Sequence, residues 1–147
     1  MIDVEVLSTV RKPIDAKLLR RAAEAALRGR LKRAVVSVVV VGARRMRTWN
    51  RDALGHDYVT DVLSFDHGDS PEGRQCEVII CPDFAAAMAR RHGLPLSQEL
   101  ARYVVHGCLH FAGMDDVTPK QRAAMWQVQE SILRKLFGRR YIAQPVN

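Results

Sequence analysis

The sequence predicts an α+β fold, a small mixed four-stranded sheet packed against helices. Three observations carry that prediction. Apolar residues switch between a period of two and a helical period along the chain, in the order β-α-β-α-β-β-α-α-α. Two strand-like segments follow one another in mid-chain with no helix between them, which makes them neighbours. The length of 147 residues suits one compact core, so residues 1–147 are expected to form a single domain.

The elements follow in order. Met1 to Val10 alternates at Ile2, Val4 and Val6 and reads as a strand. Pro13 opens a helix with Ile14, Leu18, Leu19, Ala22 and Ala26 on one side and Lys17, Arg20, Arg21 and Arg28 on the other; Gly29 stops it. Ala34 to Val41 is a β-branched run, expected as a buried strand. From Ala43 to Leu54, Met46, Trp49 and Ala53 recur at helical spacing among Arg44, Arg45, Arg47 and Arg51, and Gly55 ends the pattern. Val59 to Phe65 reads as a strand. Asp66 to Gln75, with Gly68, Pro71 and Gly73 among polar residues, reads as a flexible loop. Cys76 to Cys81 is a strand, and Pro82 begins a helix that Gly93 ends. Ser97 is expected to cap the next helix, which runs to about Ala112, with Gly113 as its stop. Thr118-Pro-Lys-Gln121 matches a capping box. The last helix carries Met125, Val128, Ile132 and Leu136, and the tail from Gly138 is expected to be loosely held.

Lys and Arg number 23 against 16 Asp and Glu, a formal net charge of +7 that favours an anionic partner such as nucleic acid. Cys76, Cys81 and Cys108 form no C-x-x-C pair and no even set, so neither a disulfide partner nor a thiolate zinc knuckle is expected. Such cysteine usage suits a reducing compartment. No signal-peptide pattern opens the chain, and the longest apolar run, Val35 to Gly42, is too short to span a bilayer. A soluble, cytoplasmic protein without a membrane partner is expected.

The segment that carries chemistry is Val104-Val-His-Gly-Cys-Leu-His-Phe-Ala-Gly-Met-Asp-Asp-Val117. His106 and His110 are four apart, so a helix sets both imidazoles on one face, one turn apart, able to chelate one ion. This makes a zincin-like metal-binding helix. Two histidines at that spacing are weak evidence alone. Gly113, free to turn the chain back, and the acidic pair Asp115-Asp116 strengthen it. Spacing favours Asp116 as the third ligand, with Asp115 as its rival. Two His and one carboxylate leave a position open, which distinguishes a catalytic site from a closed structural one. The peptidase motif H-E-x-x-H has a Glu base after its first His; Gly107 stands there instead. Glu99, two turns back, either reaches the edge of the site or supplies a favourable first-turn charge. Arg102 beside this face is a candidate phosphate contact or a solvated residue.

These residues closely resemble the YbeY family of bacterial rRNA maturation endoribonucleases, whose pattern H-G-x-L-H-x-x-G-x-D-H is matched by His106-Gly-Cys-Leu-His110-Phe-Ala-Gly113-Met-Asp115-Asp116. Further similar blocks are Asn50-Arg51 with Thr60-Asp-Val-Leu-Ser-Phe65, and Glu77-Val-Ile-Ile80 leading into a helix. The resemblance implies a metal-dependent single-strand endoribonuclease of ribosomal RNA maturation and ribosome quality control. It implies one Zn²⁺ per chain on His106, His110 and Asp116 as the catalytic group, with ribosomal RNA and the ribosomal subunit as partners. Arg51, Asp61, Ser64 and Arg102 are the candidate substrate contacts. The chain departs from the pattern in three places. Asp116 stands for the usual third His and adds a negative charge; Leu54 stands for the usual Arg; Cys76-Glu77 replaces a Gly-Asp pair. A non-catalytic zinc-binding ribosome-assembly factor is therefore the alternative, and a peptidase-like zinc hydrolase on another substrate the next. Few aromatic residues, Trp49 and Tyr58, lie near the second block, so base reading by stacking is expected to be limited.

Overall fold

The computed structural model describes residues 1–55 and 61–144. Its elements are β1 (Ile2–Ser8), α1 (Ala16–Leu27), β2 (Ala34–Val40), α2 (Ala43–Leu54), β3 (Val62–Ser70), β4 (Gly73–Ile80), α3 (Pro82–His92), α4 (Leu96–Phe111) and α5 (Pro119–Phe137), followed by a 3₁₀ turn at Gly138–Arg140. The sheet runs β1-β2-β4-β3. β1, β2 and β4 are parallel, and β3 is antiparallel to β4 at the edge, so the predicted mixed four-stranded sheet is the one observed.

The valine run of β2 is buried because both faces of the sheet are covered. Val36, Val38 and Val40 point into a core shared with Leu19 and Ala22 of α1, Val105 and Leu109 of α4, and Met125 and Leu133 of α5. Val39 and Val41 point the other way, onto Met46 of α2, Leu63, Ile79 and Cys81. Fully burying a side chain of this size is worth about 1.5–3 kcal/mol. Cys76 lies in the first core and Cys81 in the second, and all three thiols are free and buried. Burial holds the Cys108 thiol well above its usual value and pushes Cys76 up to about 11, with Asp66 adding to the latter.

Three expectations are corrected. Asp66 to Gln75 is no loop: β3 continues to Ser70 and turns directly into β4. A bulge between Asp66 and Gly68 absorbs the register shift, and Arg74 clasps Asp66 across the strands, Nη2 to Oδ2 at 2.8 Å. The polar residues and glycines serve a bulged edge hairpin. Ser97 does not cap α4; the helix starts at Leu96, and Pro95 is its N-cap without a side-chain bond. The tail beyond Gly138 is held, because Gln98 brackets Ile142 with two bonds, donating to its carbonyl at 2.6 Å and accepting from its N–H at 3.1 Å. Val59 and Thr60, read as the start of the third strand, fall outside the described residues with Tyr58; within those described, the strand begins at Val62. Among the described residues, no helix is long and apolar enough to cross a membrane.

The approach of α4 to the β3 edge depends on Gly107. A Cβ there would lie 2.8 Å from Ser64 Oγ, 3.1 Å from Val78 Cγ1 and 3.2 Å from Val62 Cγ2. This contact lays the histidine-bearing turn of α4 against the sheet.

Candidate metal centre

His106 and His110 occupy consecutive turns of α4, and their Nε2 atoms stand 3.2 Å apart. The chain leaves the helix through Gly113, whose φ of +90° is a conformation that side-chain-bearing residues rarely adopt. The Gly113 and Met114 N–H groups donate back to the carbonyls of His110 and Leu109, both at 3.1 Å. The reversal brings Asp116 Oδ2 to 3.2 Å from His106 Nε2 and 3.7 Å from His110 Nε2. These three residues offer ligand atoms within 4.8 Å of one another, the one group among the described residues that could hold a metal ion. Asp115 is exposed and outside it.

The capping box of α5 anchors the loop that carries Asp116. Gln121 Oε1 accepts from the N–H groups of Val117 and Thr118 at 3.1 and 3.0 Å, while Thr118 Oγ1 caps the Gln121 N–H. Arg122 adds a bond to the Val117 carbonyl at 2.8 Å. The sequence marked this box as a helix start only. That it also pins the acidic loop is a tertiary fact.

Both imidazoles have their orientation set from outside. His110 Nδ1 faces the Met114 carbonyl at 3.0 Å, an oxygen that can only accept. His106 Nδ1 faces Gln129 Oε1 at 2.9 Å, and that amide is oriented by its own Nε2 donating to Glu130 Oε2 at 2.9 Å. Each Nδ1 therefore carries the proton in the neutral ring, which leaves both Nε2 lone pairs free beside Asp116. Three acceptors converge with no proton among them, which is the donor set a cation requires. The residues present fit a bound divalent metal.

Behind Gln129 lies a buried network. Arg102 donates to Glu130 at 2.9 and 2.8 Å and to Glu99, and Tyr141 Oη donates to Glu130 Oε1 at 2.6 Å. Burial opposes the charge on Arg102, yet its two carboxylate partners raise its pKa. Burial likewise tends to raise the Glu130 carboxyl, but bonds from Arg102, Gln129 and Tyr141 outweigh it and hold that carboxyl below its ordinary value. Arg102 is thus corrected: with its side chain 4% exposed and committed to two carboxylates, it is neither solvated nor available to a phosphate. Glu99, 2% exposed, lies in the first turn of α4 as expected and also belongs to the same network. Gln129, Glu130 and Tyr141 carried no sequence signal, because their partners lie 11 to 28 residues away.

The metal group opens into a cleft of about 490 Å³ whose lining includes Leu54, Asp61, Ser64, Asp66, His106, His110 and Asp116. Asp61 accepts from the Val62 N–H at 2.8 Å, and Ser64 Oγ donates to the Gly107 carbonyl at 3.4 Å. Arg51 is exposed, lies against Asp52 at 3.2 Å and does not line the cleft. Among the described residues no Lys or Arg lines it, and Leu54, 53% exposed, stands there instead.

A family model described as Endoribonuclease YbeY matches residues 6–137. An Endoribonuclease YbeY of Chlorobium luteolum is 36% identical over 137 residues, covering 92% of this chain and 99% of that relative. One of Aromatoleum aromaticum is 37% identical over 126 residues, covering 86% and 79%. A Thermotoga maritima protein solved in solution matches with a TM-score of 0.65 at 26% identity, over 94% of this chain and 90% of its own.

Proposed function

The chain belongs to the Endoribonuclease YbeY family, and from that premise we propose that it is a zinc-dependent endoribonuclease cutting single-stranded RNA in ribosomal RNA maturation and ribosome quality control. Residues 1–147 act in this reading as one cytoplasmic domain, with ribosomal RNA and the ribosomal subunit as partners. The observation that supports it most is the convergence of His106 Nε2, His110 Nε2 and Asp116 Oδ2 at the floor of an open cleft.

These three residues would hold one Zn²⁺ per chain. When bound, such an ion supplies Lewis-acid polarisation of a phosphoryl oxygen or activation of a water. The chain's own residues prepare the site. Gln129 and the Met114 carbonyl keep both Nδ1 atoms protonated and both rings aimed. Asp61 and Ser64 on the cleft wall contact the substrate, and Arg51 meets the RNA backbone outside the cleft together with the exposed Arg44, Arg45 and Arg47 of α2. A lining with Asp61, Asp66 and Asp116 but no Lys or Arg among the described residues repels a phosphate, so its entry depends on the ion.

The test is zinc content and cleavage of single-stranded RNA by the wild type and a His106→Ala/His110→Ala variant. One zinc per chain, with metal and cleavage both lost in a folded variant, is expected. A zinc-loaded wild type that cuts no RNA, or a variant that cuts equally well, overturns the reading. Leu54 in the cleft favours a second reading, a non-catalytic zinc-binding assembly factor, which predicts subunit binding with RNA left intact. A peptidase with a Glu after the first His is disfavoured, since Gly107 has no space for a side chain.

A further inference from the structure

A second, smaller cavity of about 250 Å³ adjoins the metal cleft, and Asp61 and His106 line both. Its volume is below the roughly 300–1,000 Å³ of sites for drug-sized ligands, which suits one flat heterocycle. Three aromatic rings from three helices line it: Phe84 of α3, Tyr103 of α4 and Trp126 of α5. Phe84 and Tyr103 pack with centroids 6.2 Å apart, and the Arg102 guanidinium lies 5.8 Å from the Trp126 ring centre. These rings are distant in the chain and gathered by helix packing, and none is among the aromatics, Trp49 and Tyr58, that lie near the second block of the sequence. Single-stranded RNA is read by splaying a base onto aromatic rings and bonding its Watson–Crick edge.

The polar lining mixes donors and acceptors. Arg102 and the Gln129 amide nitrogen direct donors to Glu99 and Glu130, while Asp61 and Glu99 contribute carboxylates. Gln144 Oε1 is buried and has no hydrogen-bond partner among the described residues. These acceptors match an edge with adjacent N–H donors. Guanine has two, N1–H and the N2 amine, side by side. Uracil sets its single N–H between two carbonyl oxygens, and adenine and cytosine set one amine beside a bare ring nitrogen.

We propose that this cavity is a nucleobase subsite that takes the guanine of a nucleotide flanking the phosphate in the metal cleft. The inference rests on the endoribonuclease reading and adds a base preference to it. The shared wall at Asp61 and His106 lets one nucleotide span both, its base beside Trp126 and its phosphate by the metal group.

Two measurements test it. In a Trp49→Phe background, Trp126 fluorescence is titrated with guanosine, adenosine, cytidine and uridine, which carry no phosphate for a metal to hold. Cleavage is then mapped on oligouridylates carrying one guanosine at successive positions. Guanosine is expected to bind at least tenfold tighter than the others, and cuts beside it to be at least tenfold enriched. Gln144→Leu should erase both preferences while metal content and far-UV circular dichroism stay unchanged. Met88→Trp, which fills the cavity from its wall, should erase the cleavage bias without abolishing cleavage. Equal affinities for the four nucleosides overturn the subsite. So does cleavage indifferent to guanosine, which leaves the nuclease reading standing. A protein that binds guanosine yet cuts no RNA overturns the nuclease reading, and the flanking-nucleotide role with it.

Discussion

His106 Nε2 and His110 Nε2 face each other at 3.2 Å, and in the neutral rings neither has a proton to give the other. Their protons are on Nδ1, held by Gln129 Oε1 and the Met114 carbonyl. With Asp116 Oδ2 at 3.2 Å from His106 Nε2, the neutral rings and the carboxylate set three acceptors together, an arrangement that a cation stabilises.

Removing one imidazole leaves two ligands, too few to hold an ion tightly. His110→Ala should therefore reduce bound metal from one per chain to none and abolish RNA cleavage. Because His110 is partly exposed on the cleft, melting of the metal-free variant should match that of metal-free wild type. Elemental analysis, a cleavage assay and circular dichroism check this.

Gln129→Leu removes the acceptor that orients His106 while leaving all three ligands in place. Loss of such an outer partner weakens metal affinity by about 10–100-fold. Competition with a chelator measures it. Unchanged affinity would mean that the bond does not orient the ring.

Glu130 gives the fold an acid-sensitive component. Its folded carboxyl is held below the ordinary value of 4.5, so the unfolded chain binds more protons between the two values. The associated stability is complete above about 4.5 and is lost as pH falls through the lowered folded value. Glu130→Gln should flatten this part of the stability profile. It should also cost about 3–5 kcal/mol at neutral pH, because a charge on Arg102 stays buried with a partner missing. Urea unfolding at a series of pH values reads both effects.

Gly107→Ala should destabilise by about 1–3 kcal/mol, the usual cost of overpacking, since its Cβ meets Ser64, Val78 and Val62 within 3.2 Å. Gly107→Glu, which completes the peptidase-type spacing, should fail to fold rather than gain peptidase activity. Thermal melts and a peptide-cleavage assay check the pair.

Several helix ends were legible from local chemistry, whereas two starts were not: α1 begins at Ala16 behind an Asp15 cap rather than at Pro13, and α4 begins at Leu96 without a Ser97 cap. The Thr118 capping box and the Gly55, Gly93 and Gly113 stops act within a few residues, so sequence spacing reports them directly. The hairpin was not legible, because glycines and polar residues mark an exposed, bulged hairpin as well as a loop. The bond that separates them joins Asp66 to Arg74 across two strands. Likewise, nothing local marks Arg102 as buried, since its partner Glu130 is 28 residues away.

The sequence by itself located the group of His106, His110 and Asp116 that could hold a metal ion. The spacing of His106 and His110 and the turn at Gly113 are local, and helix geometry converts them into convergence on Asp116. Tertiary structure alone decided what surrounds that set. The packing of α5 on α4 supplies Gln129 and Glu130 to aim a ring and hold a buried arginine. The meeting of α3, α4 and α5 assembles three aromatic rings beside the metal cleft. Those partners are brought together by burial of apolar helix faces, and a pattern of apolar positions says that a face will be covered without saying by which residues.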